Sequence, residues 1–272
     1  MAQTYAQTLS NIVRHINNNH PGHFQAAQKP QIPLNEQTSI KMNGGFESPG
    51  PGYSRYLKRA MEKSLALEHK LDDFVIQMPG MSGRKYRYFI NNLIEMISEE
   101  PAHAGARYLE VGSWKGSTAC SAMYKNNVDI LCIDNWTGFG GPRTDFMANI
   151  NKSISRDIDF NLLDEDFRKV DYTDIGKFNV YLFDGPHEEV DQYDGVMHAL
   201  PALDDEFILI VDDYNLERVI KGTERAIHDA KLNVISSIEI YTTTDRTGPT
   251  YISEQYSDWH NGYFIAVCQQ TK

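Results

Sequence analysis

Cysteine is scarce in this 272-residue chain: Cys120, Cys132 and Cys268 stand far apart, and none falls in a Cys-x-x-Cys or other zinc spacing. An odd, unclustered set in apolar surroundings excludes a disulfide framework and a structural zinc site. Buried, reduced thiols of a cytoplasmic protein are the expectation. Positive charge is also short, with 26 Lys and Arg against 37 Asp and Glu and a net charge of −11. Nucleic acids and anionic membranes are bound through basic patches, so neither is an expected partner. No apolar run nears the roughly 20 residues that span a bilayer. Residues 1–10 lack the charged head and apolar core of a secretory signal. No internal repeat is visible.

What is present suits a globular protein: 41% hydrophobic and 11% aromatic residues, in a chain long enough for one large domain and an extension. Residues 1–52 are rich in Asn, Gln, Pro and Gly, and beyond a short helix at Ser10–Ile16 they show little periodicity. They read as an N-terminal arm, either a partner-binding extension or a partly disordered leader. From Ser54 the pattern changes. Leu57, Met61, Leu65, Leu71, Val75 and Met78 recur at helical spacing, which predicts one helix from an N-cap at Ser54 to a stop at Pro79-Gly80. A second helix is predicted at about 83–98, with Tyr88, Phe89, Leu93, Ile94 and Ile97 on its apolar side. Together these form a helical cap over 53–100, packing residues for the most part, with some placed to line a substrate mouth. An apolar helix at 54–78 also suggests a homo-oligomer, a dimer first of all.

Over 101–272 strands and helices alternate. Strands are expected at 107–111, 129–134, 167–170, 179–184 and 206–212, and helices after Gly116 and at 145–155, 188–200 and 217–231. Such alternation implies an α/β fold with a parallel sheet covered on both faces. Two closing strands, 234–241 and 262–269, have no helix between them and should form an antiparallel pair. The loop joining them, 242–261, would hang over the strand ends, either as a lid carrying substrate contacts or merely as a long loop.

The stretch that organises this part is Arg107 to Thr118, an apolar strand running into Glu110-x-Gly112-x-x-x-Gly116 and then a helix start at Ser117 and Thr118. Glycine serves where the backbone turns sharply or lets another group close. A helix start offers unpaired N–H groups and partial positive charge. An acid such as Glu110 can hold a cation or ribose hydroxyls, and an ordinary β–α turn is the plainer alternative. The spacing lacks the third glycine of the dinucleotide fingerprint, which counts against an oxidoreductase. In parallel sheets ligands bind beyond the C-terminal strand ends. Every predicted parallel strand here ends in an acid: Glu110, Asp134, Asp171, Asp184, and Asp212 with Asp213. Each could merely N-cap the next helix. As a set they would repel one another unless cations or hydroxyl donors satisfied them. Asp184-Gly-Pro-His187 and Asp212-Asp213 supply three hard carboxylates from two strand ends, a ligand set suited to Mg²⁺.

Acid-x-Gly-x-x-x-Gly at a first strand resembles motif I of the class I S-adenosylmethionine (AdoMet) methyltransferases. The resemblance implies a Rossmann-like sheet, mostly parallel with its last strand reversed, and a bound AdoMet. The acid, Glu110, would face the methionine amino group. Gly112, Ser113, Gly116, Ser117 and Thr118 would cradle the cofactor, with Asp134 on the ribose hydroxyls beside Asn135. Trp136 would either stack on the adenine or pack as core or lid, and Asp171 and Tyr172 would meet the adenine edge. One Asp followed 28 and 29 residues later by an Asp-Asp pair resembles the metal-dependent macrocin and sugar O-methyltransferase group. That resemblance implies Mg²⁺ on Asp184, Asp212 and Asp213, an acceptor with hydroxyl groups, and His187 as general base with Asp184 beside it. The chain also looks like uncharacterised class I methyltransferase-like proteins of bacteria and phages. The expectation is an AdoMet- and Mg²⁺-dependent O-methyltransferase acting on a small molecule. The alternative is a non-catalytic AdoMet or nucleoside binder working as an interaction module.

Overall fold

The computed structural model describes residues 38–46, 52–100, 105–155, 158–243 and 256–271. Strands are numbered in chain order from β1 (Ser39–Gly44). Four nearly continuous apolar runs, β2 (Ala106–Val111), β3 (Val128–Ile133), β5 (Phe178–Phe183) and β6 (Leu203–Asp212), form the middle of the sheet. They are largely buried on both faces, so their sequences read as unbroken rather than alternating. Outside β3 lies β4 (Asp159–Leu163); on the far side lie β7 (Asn233–Tyr241) and β8 (Tyr263–Gln269). The eight strands make one sheet in the order β1-β7-β8-β6-β5-β2-β3-β4. Pairings β2–β3, β3–β4, β2–β5 and β5–β6 are parallel. The last strand, β8, runs antiparallel to both β6 and β7. A mostly parallel sheet with its last strand reversed is what the sequence led us to expect.

Helices α1 (Tyr53–Leu65), α2 (Asp73–Ile76), α3 (Arg84–Ser98), α4 (Ser117–Met123) and α5 (Arg143–Ser153) precede β4; α6 (Glu189–Ala199) and α7 (Glu217–Asp229) follow β5 and β6. The pleat sends alternate residues to opposite faces. Tyr108, Ile130, Val180, Ile208 and Ile265 meet Leu57 and Met61 of α1, Phe89 and Leu93 of α3, Met123 of α4 and Phe146 of α5. Leu109, Val111, Tyr181, Phe183 and Leu209 meet Val196 of α6 and Val219 and Ala226 of α7. Residues 35–272 form one compact unit. Its three cysteines are buried and free. No described helix is long and apolar enough to cross a membrane.

Several expectations need correction. The single helix over 54–78 is two helices with a break. α1 ends at Leu65, Leu67 takes the left-handed backbone (φ 60°), and the Lys70 N–H is taken by Asn91 Oδ1 at 3.1 Å. The apolar spacing runs on because residues of both helices feed one core. Gly52, not Ser54, is the N-cap; Ser54 Oγ bonds Ser236 Oγ at 2.7 Å. The strand expected at 167–170 is β4, at 159–163. Its outer, half-exposed residues alternate and so lack the buried run that marks the central strands. Part of the expected arm is strand β1, which adds antiparallel to the edge of β7. The Ser10–Ile16 helix and most of the 242–261 loop lie outside the described residues.

Candidate active site

At the end of β2 the chain must turn while β5 closes against it. Gly112 has φ 88°, and a Cβ there would overlap the carbonyl oxygen of Asp184. The turn and the neighbouring strand end therefore both require glycine here. Gly116 is left-handed (φ 82°) and lies under the Phe146 ring. Ser117 and Thr118, both buried, open α4. The Ser117 hydroxyl faces the segment before α3, 3.0 Å from Ser82 Oγ.

Glu110 is 1% exposed and lies on the α3 side of the sheet. Tyr108 Oη donates to its Oε2 at 2.6 Å, while Oε1 has no hydrogen-bond partner. Burial pushes its carboxyl up to about 7, partly offset by the Tyr108 hydroxyl. A cationic ammonium is the kind of partner that would restore its charge.

Asp134 follows β3 and is held by two backbone N–H groups, Trp114 on Oδ2 at 2.9 Å and Trp136 on Oδ1 at 2.7 Å. Each oxygen keeps a lone pair for a further donor, so vicinal hydroxyls would fit. Asn135 turns its carbonyl oxygen to Thr137 N and Oγ1. Trp136 donates from Nε1 to Asp164 Oδ1 at 2.5 Å and packs against Phe146 at 5.1 Å between centroids. Its ring therefore packs on the α5 side. The acid that ends β4 is Asp164, not Asp171, because the strand lies earlier than the sequence suggested. Asp164 is gripped by Arg143 through Nε and Nη2. Asp171 sits in the following loop, exposed, accepting from Thr173 N and Oγ1; Tyr172 is buried.

The acids of β5 and β6 meet at one rim. Burial, and then Asp213, hold the Asp184 carboxyl well above the usual range; burial, Asp184 and Asp213 do the same to Asp212. His187 lies between two of them, Nε2 3.6 Å from Asp184 Oδ1 and Nδ1 3.5 Å from Asp213 Oδ2. Arg218 Nε fixes the His187 carbonyl at 2.7 Å. Asp213 takes a left-handed backbone (φ 57°), and its Oδ1 accepts from Asn261 Nδ2 at 2.8 Å. As the side chains stand, no three His, Cys, Asp or Glu among the described residues surround one point suited to an ion. In donor chemistry the rim fits a hard cation: three carboxylates, one of them Asp212 with an unpartnered buried Oδ1.

Sequence reasoning missed the residues that complete this rim. Tyr263 stands directly across β6–β8 from Asp212, which puts both side chains on the α3 face. Tyr86 of α3 stacks on it, ring centroids 3.9 Å apart and planes within 10°. Both phenols are held protonated, Tyr86 by burial and then Asp212, Glu110 and Asp184, Tyr263 by burial and Asp212 first among the acids. His260 and Asn261 arrive from the segment before β8, which α3 clasps. Asp258's carbonyl accepts from Lys85 N, and its carboxylate pairs with Arg84 and Lys85. Burial lowers the His260 imidazole. Only strand register could have found Tyr263, and nothing local in the sequence marks Tyr86 or Asn261.

Buried polar atoms without a protein partner gather here: Glu110 Oε1, Ser113 Oγ, Asp212 Oδ1, His187 Nε2, Asn261 Oδ1 and the Tyr86 and Tyr263 hydroxyls. Buried polar groups are otherwise nearly always paired. A buried polar cluster of this kind suits a polar ligand able to pair with these groups.

Residues 109–214, which carry the glycine turn, Asp134 and the acidic rim, match the family model of a methyltransferase domain. Among solved structures the chain is similar to the O-methyltransferase TomG of Streptomyces achromogenes, determined with SAM: 12% identity over 81% of this chain and 100% of that one, TM-score 0.49. It is similar to the SAH-bound methyltransferase PaMTH1 of Podospora anserina at 11% identity over 100% and 99% of the two chains, TM-score 0.45. For an O-methyltransferase of Bacillus cereus in complex with SAH the figures are 12%, 82% and 94%, TM-score 0.44. No curated protein matches the chain.

Proposed function

We propose that this chain is an AdoMet-dependent O-methyltransferase acting on a small molecule with hydroxyl groups, such as a sugar. The observation that carries the reading is the set of unpartnered buried polar atoms at one sheet edge, of which those of Glu110, Ser113, His187 and Asp212 lie in the segment that matches the methyltransferase domain model. Glu110 Oε1 would receive the ammonium of the donor's methionine part, and Asp134 the ribose hydroxyls. Asp184, Asp212 and Asp213 would hold Mg²⁺, which lowers the pKa of an acceptor hydroxyl and fixes its orientation. His187, flanked by Asp184 and Asp213, would take the hydroxyl proton, and both carboxylates would stabilise the imidazolium that results. The methyl group passes in line from sulfur to oxygen, so the carbon–sulfur bond breaks as the carbon–oxygen bond forms. S-adenosylhomocysteine (SAH) leaves. Most of the acceleration would come from holding donor and acceptor in line away from water.

The test is a titration of the purified protein with SAH by calorimetry, with and without Mg²⁺, followed by transfer of labelled methyl from AdoMet to a panel of polyols and catechols. SAH binding with Mg²⁺-dependent transfer is expected. In Asp212→Asn, SAH should still bind while transfer is lost. Transfer undiminished in chelator would sink the metal assignment. SAH binding with no transfer to any acceptor would favour the non-catalytic binder.

A further inference from the structure

Two tryptophans flank Asp134, and their indoles are used differently. Trp136 is committed to the protein: Nε1 bonds Asp164 and the ring packs on Phe146. Trp114 follows Gly112 by two residues. Its backbone N–H holds Asp134 Oδ2, and its indole Nε1 reaches over to the carbonyl of Phe139 at 3.2 Å. The Trp114 side chain therefore bridges the loop after β2 and the loop after β3, whose inner ends are Gly112 and Asp134. That bond is exposed, and Phe139 itself is 60% exposed. The Lys115 ammonium lies 5.0 Å from the Trp114 ring centroid. Both ends of the bridge sit in the left-handed region, Trp114 at φ 44° and Phe139 at φ 47°. For bulky side chains this conformation is costly, and it persists where the surrounding structure enforces it.

We propose that Trp114, rather than Trp136, is the aromatic residue that covers the nucleoside of the bound donor, with the Trp114–Phe139 hydrogen bond as a latch that opens to admit it. The proposal rests on the donor assignment of the preceding section. An indole spanning the gap between the glycine turn and the ribose-binding acid is positioned to close over whatever occupies that gap. Aromatic contact with a base or sugar holds either without regard to sequence or hydrogen-bond pattern. A latch made through one indole N–H and one backbone carbonyl can break without disturbing the sheet.

The experiment uses the full chain and SAH as probe, with affinity from calorimetry, release from the dissociation of radiolabelled SAH chased with unlabelled SAH, and tryptophan fluorescence on binding recorded separately. Trp114→Ala should weaken SAH binding by about tenfold or more, the size of one lost stacking contact. Trp114→Phe keeps a ring but loses the N–H, so affinity should stay within about threefold while release quickens. The fluorescence change of the wild type on binding SAH should vanish in Trp114→Phe and persist in Trp136→Phe. SAH affinity in folded Trp114→Ala within about twofold of wild type, or an unchanged fluorescence response in Trp114→Phe, would overturn the proposal while leaving the donor site intact. A wild-type protein that binds no SAH at all would overturn the donor assignment, and this inference with it. Should Trp114→Ala not fold, release from Trp114→Phe decides: unaltered release removes the latch.

Discussion

Asn261 Nδ2 donates to Asp213 Oδ1 at 2.8 Å, which leaves Oδ2 to face His187 Nδ1 at 3.5 Å. One amide from the segment before β8 thus orients a carboxylate that follows β6. The segment is itself fixed by α3, through the carbonyl and carboxylate of Asp258. Removing the amide leaves a buried carboxylate without its donor. Asn261→Ala should lower stability by about 1.5–3 kcal/mol, the worth of a hydrogen bond to a charged group. Asn261→Asp should cost more at pH 8 and less at pH 5, because it sets a like charge beside Asp213. Urea unfolding at the two pH values checks both.

Arg87 is fully buried, and no carboxylate among the described residues accepts a hydrogen bond from it. Its guanidinium donates to the carbonyls of Val75, Ile76, Met78 and Ser82. Those bonds hold the chain between α2 and α3 in place beside Ser117. Arg87→Met keeps the bulk but strands several buried carbonyls, and should cost about 3 kcal/mol or more. Arg87→Lys should recover little, since an ammonium cannot reproduce a planar fork. Denaturant midpoints of the three proteins would settle the order. A lysine variant as stable as wild type would contradict it.

Glu110 makes the fold weaker as pH rises. Its carboxyl ionises near 4.5 in the unfolded chain and near 7 in the folded one, so folding favours the protonated form. Below about 4.5 both states are protonated and nothing is lost. Between 4.5 and 7 the unfolded chain sheds its proton first, and the penalty grows to about 3 kcal/mol and stays there at higher pH. Glu110→Gln should therefore be more stable than wild type at pH 8, with the advantage shrinking toward pH 5. It should also lose SAH-dependent stabilisation. Equal pH dependence of the two proteins would refute the burial argument.

The two glycines of the turn should not tolerate alanine equally. At Gly112 a methyl group would meet backbone, the Asp184 carbonyl, while at Gly116 it would meet the Phe146 ring edge at 2.9 Å. Both also carry the cost of a left-handed alanine, about 1 kcal/mol. A ring can tilt aside and a paired strand cannot. Gly112→Ala is expected to abolish SAH binding and to fold poorly. Gly116→Ala should fold with a melting temperature lowered by about 5 °C or more. Thermal melts with and without SAH test the ranking.

Much of this was written locally. Continuous apolar runs named β2, β3, β5 and β6, because strands buried on both faces need no polar residues. Glu110, Asp134, Asp184, Asp212 and Asp213 announced a rim of acids, since strand ends in a parallel sheet share one edge. β4 escaped, because its outer side is half exposed and its run is broken by Asn161. That error moved the strand-end acid from Asp164 to Asp171. The break after α1 escaped too, because residues on both sides of it feed the same core.

Local pattern was enough for the central parallel strands, the reversed last strand and the edge where the acids gather, because period, apolar runs and turn residues act over a few neighbours. Long-range packing was needed to show that Trp136 meets Phe146 while Trp114 bridges to Phe139, that Gly112 lies against Asp184, and that Tyr86, Tyr263 and Asn261 complete the rim. Those facts depend on which side chains meet across strands and helices far apart in the chain, as with Asp213 and Asn261, and no local pattern carries that distance.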